Sequence, residues 1–182
     1  MIILKTYKGR VLFEREGELI GADLQGLSLS GVCLQGQTLT GVNFSRATLS
    51  GADFSDADLR EAIFDDANLQ ALFAYSANFD GSRLRNADLY CASLFMASFR
   101  EADFRGAQLQ GADLKECDFS GANLLNAHLG KSNLGGSTSI QGANFSDAEL
   151  RGVVWEGAHY DEHTIFPAHF HLEKQDLKFQ SA

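Results

Sequence analysis

Large apolar residues return at every fifth position from Leu24 to Leu134. The centres run Leu24, Leu29, Leu34, Leu39, Phe44 and onward to Leu129 and Leu134, and all but Ala74 are Leu or Phe. A small residue stands two positions before most of them, as at Ala52, Ala57, Ala62, Ala87 and Ala107. A period of five suits neither the 3.6-residue helix nor the two-residue strand, because on an isolated helix these centres would spiral without forming a stripe. It suits a coil. If each five-residue unit forms one side of a square turn, the centre and the residue two before it both face inward, since residues two apart share a face of extended chain. Four units then close a coil of twenty residues. Glycine often follows the centre by two, as at Gly31, Gly51 and Gly111, where the chain must bend and a missing Cβ helps.

At one place the order reverses, with Leu72 preceding Ala74. The exchange conserves volume if both sites are neighbours in a close-packed interior. After Leu134 the register slips by one residue at Gly135-Gly136-Ser137-Thr138-Ser139, and the centres resume as Ile140, Phe145, Leu150, Trp155, Tyr160 and Ile165. That predicts one bulged corner with a single extra residue on the surface.

The ends of such a stack need covers, because an open coil exposes backbone groups and a layer of Leu and Phe. Residues Ile2 to Phe13 alternate and turn at Lys8-Gly9-Arg10, predicting a hairpin cap over residues 1–16. Behind Pro167, the near-helical spacing of Phe166, Phe170 and Leu177 predicts a helical lid over 168–180. The solenoid then occupies 17–166 and the C-terminal cap 167–182.

Charge and composition narrow the function classes. A net charge of -9 argues against nucleic acid as a direct partner, since phosphate binding rests on Lys and Arg. Cys33, Cys91 and Cys117 form no CxxC pair and fit a reducing compartment, with Cys117 at an inward position as an apolar filler. The N-terminus lacks the apolar core of a signal peptide, and no run reaches membrane-spanning length, so the expected location is the cytoplasm without membrane association. Phosphate loops, dinucleotide fingerprints and nucleophile elbows are missing, and a filled coil offers no catalytic pocket. No enzyme activity and no cofactor are expected.

The one condensed polar set is Asp161, Glu162, His163, His169 and His171. These are metal-ligand types, but without a fixed ligand spacing they read as an exposed polar cap edge. Asp and Asn directly before the centres, such as Asp23, Asn43, Asp88 and Asn123, recur with the repeat and predict local hydrogen bonds.

Two departures from the repeat mark the outer wall. Residues twenty apart stack, so Tyr75 lies beneath Phe95 with Phe73, Tyr90 and Met96 close by, a candidate partner surface. Between residues 53 and 66, Asp53, Asp56, Asp58, Glu61, Asp65 and Asp66 face a single Arg60, a field that attracts basic surfaces, including those that hold DNA. Arg60, Asp80 and Arg100 alternate up one column and Arg85 stacks with Arg105 in another, predicting ion-pair ladders.

The unit Ala-(Asp/Asn)-(Leu/Phe)-x-x, in register over roughly 17–166, resembles the pentapeptide repeat proteins. The resemblance implies an all-β fold, a right-handed quadrilateral β-helix, and a binding role. One expectation is a rigid protein-interaction scaffold. Another is a DNA mimic, since some relatives of this size and acidity bind DNA gyrase and protect it from quinolones or toxins. Those members commonly dimerise through the C-terminal end, which makes a homodimer here an expectation as well. They often carry protruding loops, and a one-residue slip counts against a loop-dependent mode.

Overall fold

The computed structural model describes residues 2–181. Its body is a stack of seven coils, joined by parallel bridges between residues twenty apart: Asp23 with Asn43, Ser28 with Thr48, Cys33 with Asp53, Thr38 with Asp58, and so on up the rod. Each coil has four five-residue sides, named here by their first centres: the Leu24, Leu29, Leu34 and Leu39 sides. Between them lie the Gly26, Gly31, Gly36 and Gly41 corners.

One short motif recurs from corner to corner. The carbonyl of a centre accepts the amide three residues on, as from Leu49 to Ala52 at 3.0 Å. The residue between, Gly51, has φ 63, the left-handed third position of a type II turn. Thirteen non-glycine residues take the same left-handed φ, among them Glu61, Met96 and Glu101. Each holds a conformation that a side chain disfavours by roughly 1–2 kcal/mol. Where Asp or Asn precedes a centre it ties the side to its corner: Asp53 accepts the Ser55 amide at 3.0 Å, Asn78 that of Asp80 at 2.9 Å and Asp118 that of Ser120 at 3.0 Å.

The shaft is filled. Leu72 and Ala74 are both fully buried, so the reversed pair packs inside like its neighbours. Under the Leu39 side Phe79, Phe99, Phe119 and Phe145 stack with ring centroids 4.9, 5.0 and 5.0 Å apart. Offset stacking of this kind adds to burial energy.

Three sequence expectations are corrected. Asp113 bridges Ser139, twenty-six residues on, so the insertion after Leu129 is six residues and not one. Leu134 is no core centre; it is 83% exposed on the resulting loop. Thr138 closes the loop from below, buried, its hydroxyl within 2.9 Å of the Leu109 carbonyl and 2.8 Å of the Gly130 carbonyl.

A second slip falls at Ile165. Asn144 bridges Ile165, twenty-one residues on, so Ile165 is exposed and Phe166 takes the inward place, stacked on Phe145 at 5.9 Å. The buried Asp161 carboxylate draws the extra residue into the bend by accepting the amides of Gly142 and His163 and the Thr164 hydroxyl.

The helical lid is the third. Residues Leu172–Lys174 make one 3-10 turn, and Leu177–Phe179 form a strand. That strand pairs in parallel with Ala158–Tyr160 of the last coil. It supplies amides and carbonyls to an otherwise open edge, which a helix cannot do. Phe170 stacks on Phe166 at 4.6 Å and meets Trp155 edge-on, closing the core. At the other end β1 (Ile2–Lys5) and β2 (Val11–Arg15) form an antiparallel hairpin. Ile2 and Leu4 are buried beneath the first coil, and the Lys5 carbonyl accepts the Cys33 amide at 2.8 Å.

Candidate functional site

Of the residues singled out by sequence, Phe73, Tyr75 and Phe95 lie on the Leu34 side. Phe73 occupies the position before the centre in the third coil; Tyr75 and Phe95 follow the centres of the third and fourth coils. Met96 sits on the Gly36 corner, and Tyr90 approaches from the Gly31 corner. Phe73, Tyr75 and Met96 are exposed, Met96 by 51%, while Tyr90 and Phe95 are half-buried. Among the described residues none of these rings stacks on another aromatic ring. The patch is apolar surface facing solvent, held by backbone on both edges.

The six acids of residues 53–66 do not share a face. They wind around the coil, from Asp53 on the Leu34 side through Asp58 on the Leu39 side to Asp65 and Asp66 at the Gly26 corner. Half of them face an arginine. Arg60 binds Asp58 through two nitrogens at 2.8 and 2.7 Å, and this contact holds the Asp58 carboxyl below its usual range. Arg83 meets Asp65 at 2.6 Å, and Arg46 lies 3.9 Å from Asp66.

The concentration of charge lies elsewhere. From the first coil through the sixth, the Leu39 side with its two corners carries Asp58, Asp80, Asp118, Glu61, Glu101, Asp147, Asp56 and Glu116 against Arg60 and Arg100. Eight acids stand against these two arginines, with Lys115 beside Glu116 the one further cation at these corners. Asp56, Glu61, Glu101, Glu116 and Asp147 make no ion pair among the described residues. Sequence reasoning missed this wall because its members are spread over 92 residues, and only the twenty-residue stacking aligns them.

The expected ladder of Arg60, Asp80 and Arg100 does not form. Arg100 binds Asp118 at 2.8 Å, and Asp80 accepts the Ser98 hydroxyl and the Arg100 amide instead. The Leu24 side is different again. There Asp103 receives both Arg85 at 2.7 Å and Arg105 at 2.8 Å. Burial works to raise its carboxyl, but hydrogen bonds from Arg105 and Arg85 outweigh it and hold the group at about 2.

Around the C-terminal cap, Asp161 is committed to the backbone contacts described above, and His171 lies 3.3 Å from Glu173. Among the described residues no group of three His, Cys, Asp or Glu side chains is placed to hold a metal ion. Surface hollows lie, among other places, at the hairpin end, between Ile3 and Gln37, and around the last coil, between Leu150 and Phe170 and between Gly142 and Gln180. No described helix is long and apolar enough to cross a membrane.

Comparison with known proteins agrees with this geometry. The family profile of pentapeptide repeats, eight copies, matches residues 38–71, 62–95 and 97–136, more than half of the chain. Trypsin-treated QnrB1, described as a plasmid-mediated fluoroquinolone resistance protein, overlays with a TM-score of 0.60 at 18% identity, covering 89% of each chain. Full-length QnrB1 gives 0.58 at 18% identity over 89% of this chain and 91% of its own. HetL, a protein involved in heterocyst differentiation regulation from the cyanobacterium Nostoc sp. strain PCC 7120, is 23% identical over 88% of this chain and 84% of its own, at a TM-score of 0.38. No curated protein matches this chain. The five-residue repeat, the twenty-residue coil and the profile match agree, and the chain belongs to the pentapeptide repeat family.

Proposed function

We propose that this protein is a rigid interaction scaffold that acts by binding another protein and not by catalysis. In this reading the rod is a right-handed quadrilateral β-helix over 17–166, works in the cytoplasm with its cysteines as free thiols, and takes no cofactor. The observation that carries the proposal is the apolar cluster of Phe73, Tyr75, Tyr90, Phe95 and Met96, turned outward from a shaft whose own centres are fully buried. Nothing in the core requires aromatics at those outer positions, and exposed patches of this kind mark partner surfaces. The test is Tyr75→Ser with Phe95→Ser: circular dichroism and melting stay near those of the parent while partners captured by the parent from the native host are lost. An unchanged partner set removes the patch from the function.

A second reading is favoured by the acidic Leu39 side: a DNA-mimicking binder of DNA gyrase that confers quinolone or toxin protection. QnrB1 carries fluoroquinolone resistance in its description, and the six-residue loop lifts the objection that a one-residue slip raised. The loop and the acids stand at different corners, which places the scaffold reading first. Adding the protein to a gyrase supercoiling assay tests it. Inhibition, or rescue from a quinolone, that is lost in Glu61→Gln with Glu101→Gln supports mimicry, and no effect at high protein concentration rejects it. We also propose that a homodimer forms through the C-terminal end, where Phe179 is exposed on an edge strand; a monomer mass by light scattering rejects that.

A further inference from the structure

Two projections rise from the same corner of the rod. The hairpin runs antiparallel beneath the Leu34 side, Thr6 bridging Val32, so its turn reaches the Gly31 corner in the first coil. Tyr7 at that turn is 91% exposed, beside exposed Lys8 and Arg10, neither of which makes an ion pair among the described residues. Five coils up, about 24 Å at ordinary strand spacing, the same corner opens into the loop after Leu129. There Leu134 stands out with Lys131, whose ammonium makes a loose pair with Glu156 at 3.6 Å, both side chains largely exposed. Such a pair contributes little and yields readily to a competing carboxylate.

Between the projections the corner carries no charge through five coils: Ser30-Gly31, Ser50-Gly51, Gln70-Ala71, Tyr90-Cys91 and Gln110-Gly111. Tyr90 leads from its middle onto the aromatic patch of the third and fourth coils. The edge is therefore uncharged along its length and aromatic halfway, with Lys8 and Arg10 at the hairpin end and Lys131, loosely paired to Glu156, at the other.

We infer that this edge is the seat of an acidic segment of a partner protein, one with an aromatic or aliphatic anchor at its centre and carboxylates toward both ends. The inference rests on the scaffold reading and adds the chemistry of the partner. The span accommodates about sixteen residues of helix at 1.5 Å each. The charges are set so that the cations at Lys8, Arg10 and Lys131 meet carboxylates while the neutral stretch lets the partner backbone approach. Nucleic acid fits poorly, because these few cations lie beside the flanking acids Asp53, Asp88 and Asp113 and phosphate binding scales with the number of neutralised charges. A second copy fits poorly too. Its own regular acids, Glu61, Glu101 and Asp147, lie on a corner where the other positions from the first coil to the sixth are Gly41, Gly81 and Gly121, with no apolar anchor.

The experiment pans a random sixteen-residue peptide library against the intact chain and measures the enriched peptides by fluorescence anisotropy. Expected winners carry a central aromatic or leucine and Asp or Glu toward both termini. Their affinity falls at least tenfold on Tyr90→Ser with Phe95→Ser, and about tenfold on Lys8→Glu, Arg10→Glu and Lys131→Glu together, with melting unchanged in both variants. Glu61→Lys with Glu101→Lys leaves it as it was. Winners that lack acids, or that bind the charge-reversed variant undiminished, overturn the inference while leaving the aromatic docking surface standing. Winners indifferent to the aromatic variant, or a library that returns none dependent on it, overturn both. Self-association of the chain that the same variants abolish assigns the edge to a second copy and also overturns it.

Discussion

The Gly41 and Gly31 corners lie two sides apart on the same coils and share the same turn, yet one is acidic and the other bare. Glu61, Glu101 and Asp147 stand on alternate coils of the first, about 10 Å apart, while the second runs uncharged from Gly31 to Gly111. Behind both corners the shaft repeats Leu, Phe and Ala with little variation. The backbone needs only a left-handed residue at each corner, and Glu61 with φ 59 meets that need as Gly31 does with φ 67. The fold thus accepts either residue at a cost of roughly 1–2 kcal/mol per corner, which leaves surface chemistry open to selection for binding.

The largest expected effect removes the common support. Phe99 packs between Phe79 and Phe119 and against Phe104. Phe99→Ala should lower unfolding free energy by about 3–5 kcal/mol, read as a fall in urea midpoint. Both corners lose their footing together. A loss below about 1 kcal/mol means that the stack does not hold them in common.

Next is the neutralised Leu24 side, a third kind of wall. Asp103→Asn breaks a carboxylate shared by two arginines and should cost about 2 kcal/mol at neutral pH. Because the folded carboxyl is held at about 2, below its unfolded value of 3.8, its contribution is complete above the unfolded value. It fades as pH falls from there through about 2. Parent and variant should therefore converge in stability near pH 2, and a gap that persists there assigns the loss to packing. Substituting the unpaired Glu101 by Gln should move stability far less.

How much of this was legible beforehand follows from what the repeat encodes. The core was readable from Leu24 to Leu129 because each centre is specified by its own pentad. The patch at Tyr75 and Phe95 was readable because twenty-residue stacking is a simple count. The acidic wall was not sought by that count, and residues 53–66, adjacent in sequence, proved to wrap the coil. The loop was hidden by arithmetic: an insertion of six keeps Leu134 in five-residue phase and displays only a one-residue slip. At the C-terminus, Phe166, Phe170 and Leu177 are apolar at helical intervals, but an open coil edge selects a strand, and no local spacing reports that demand.

Corner chemistry offers a smaller test. Met96 holds φ 61 on the Gly36 corner with its side chain half in solvent, so Met96→Gly should raise stability by about 1 kcal/mol while trimming the patch. Gly111, with φ 72, behaves oppositely, because a Cβ there meets Ser132 Cβ at 2.8 Å. Gly111→Ala should cost about 1–2 kcal/mol and loosen the loop base. Equal and small effects at both sites would show that the corner backbone relaxes.

The weakest perturbation leaves stability untouched and reads the walls by thiol labelling. Cys33 is exposed on the Leu34 side and Cys91 is half-buried on the bare corner. Cys117 faces inward, its thiol donating to the Leu94 carbonyl at 3.0 Å and pushed up in pKa by burial. A neutral-pH reagent should modify Cys33 first, Cys91 more slowly and Cys117 only after denaturant, since the thiolate is the reactive form. If a peptide occupies the bare corner, it should slow Cys91 and leave Cys33 as before. Protection of Cys33 instead would move the bound segment off that corner, and labelling of Cys117 in the native protein would contradict the filled shaft itself.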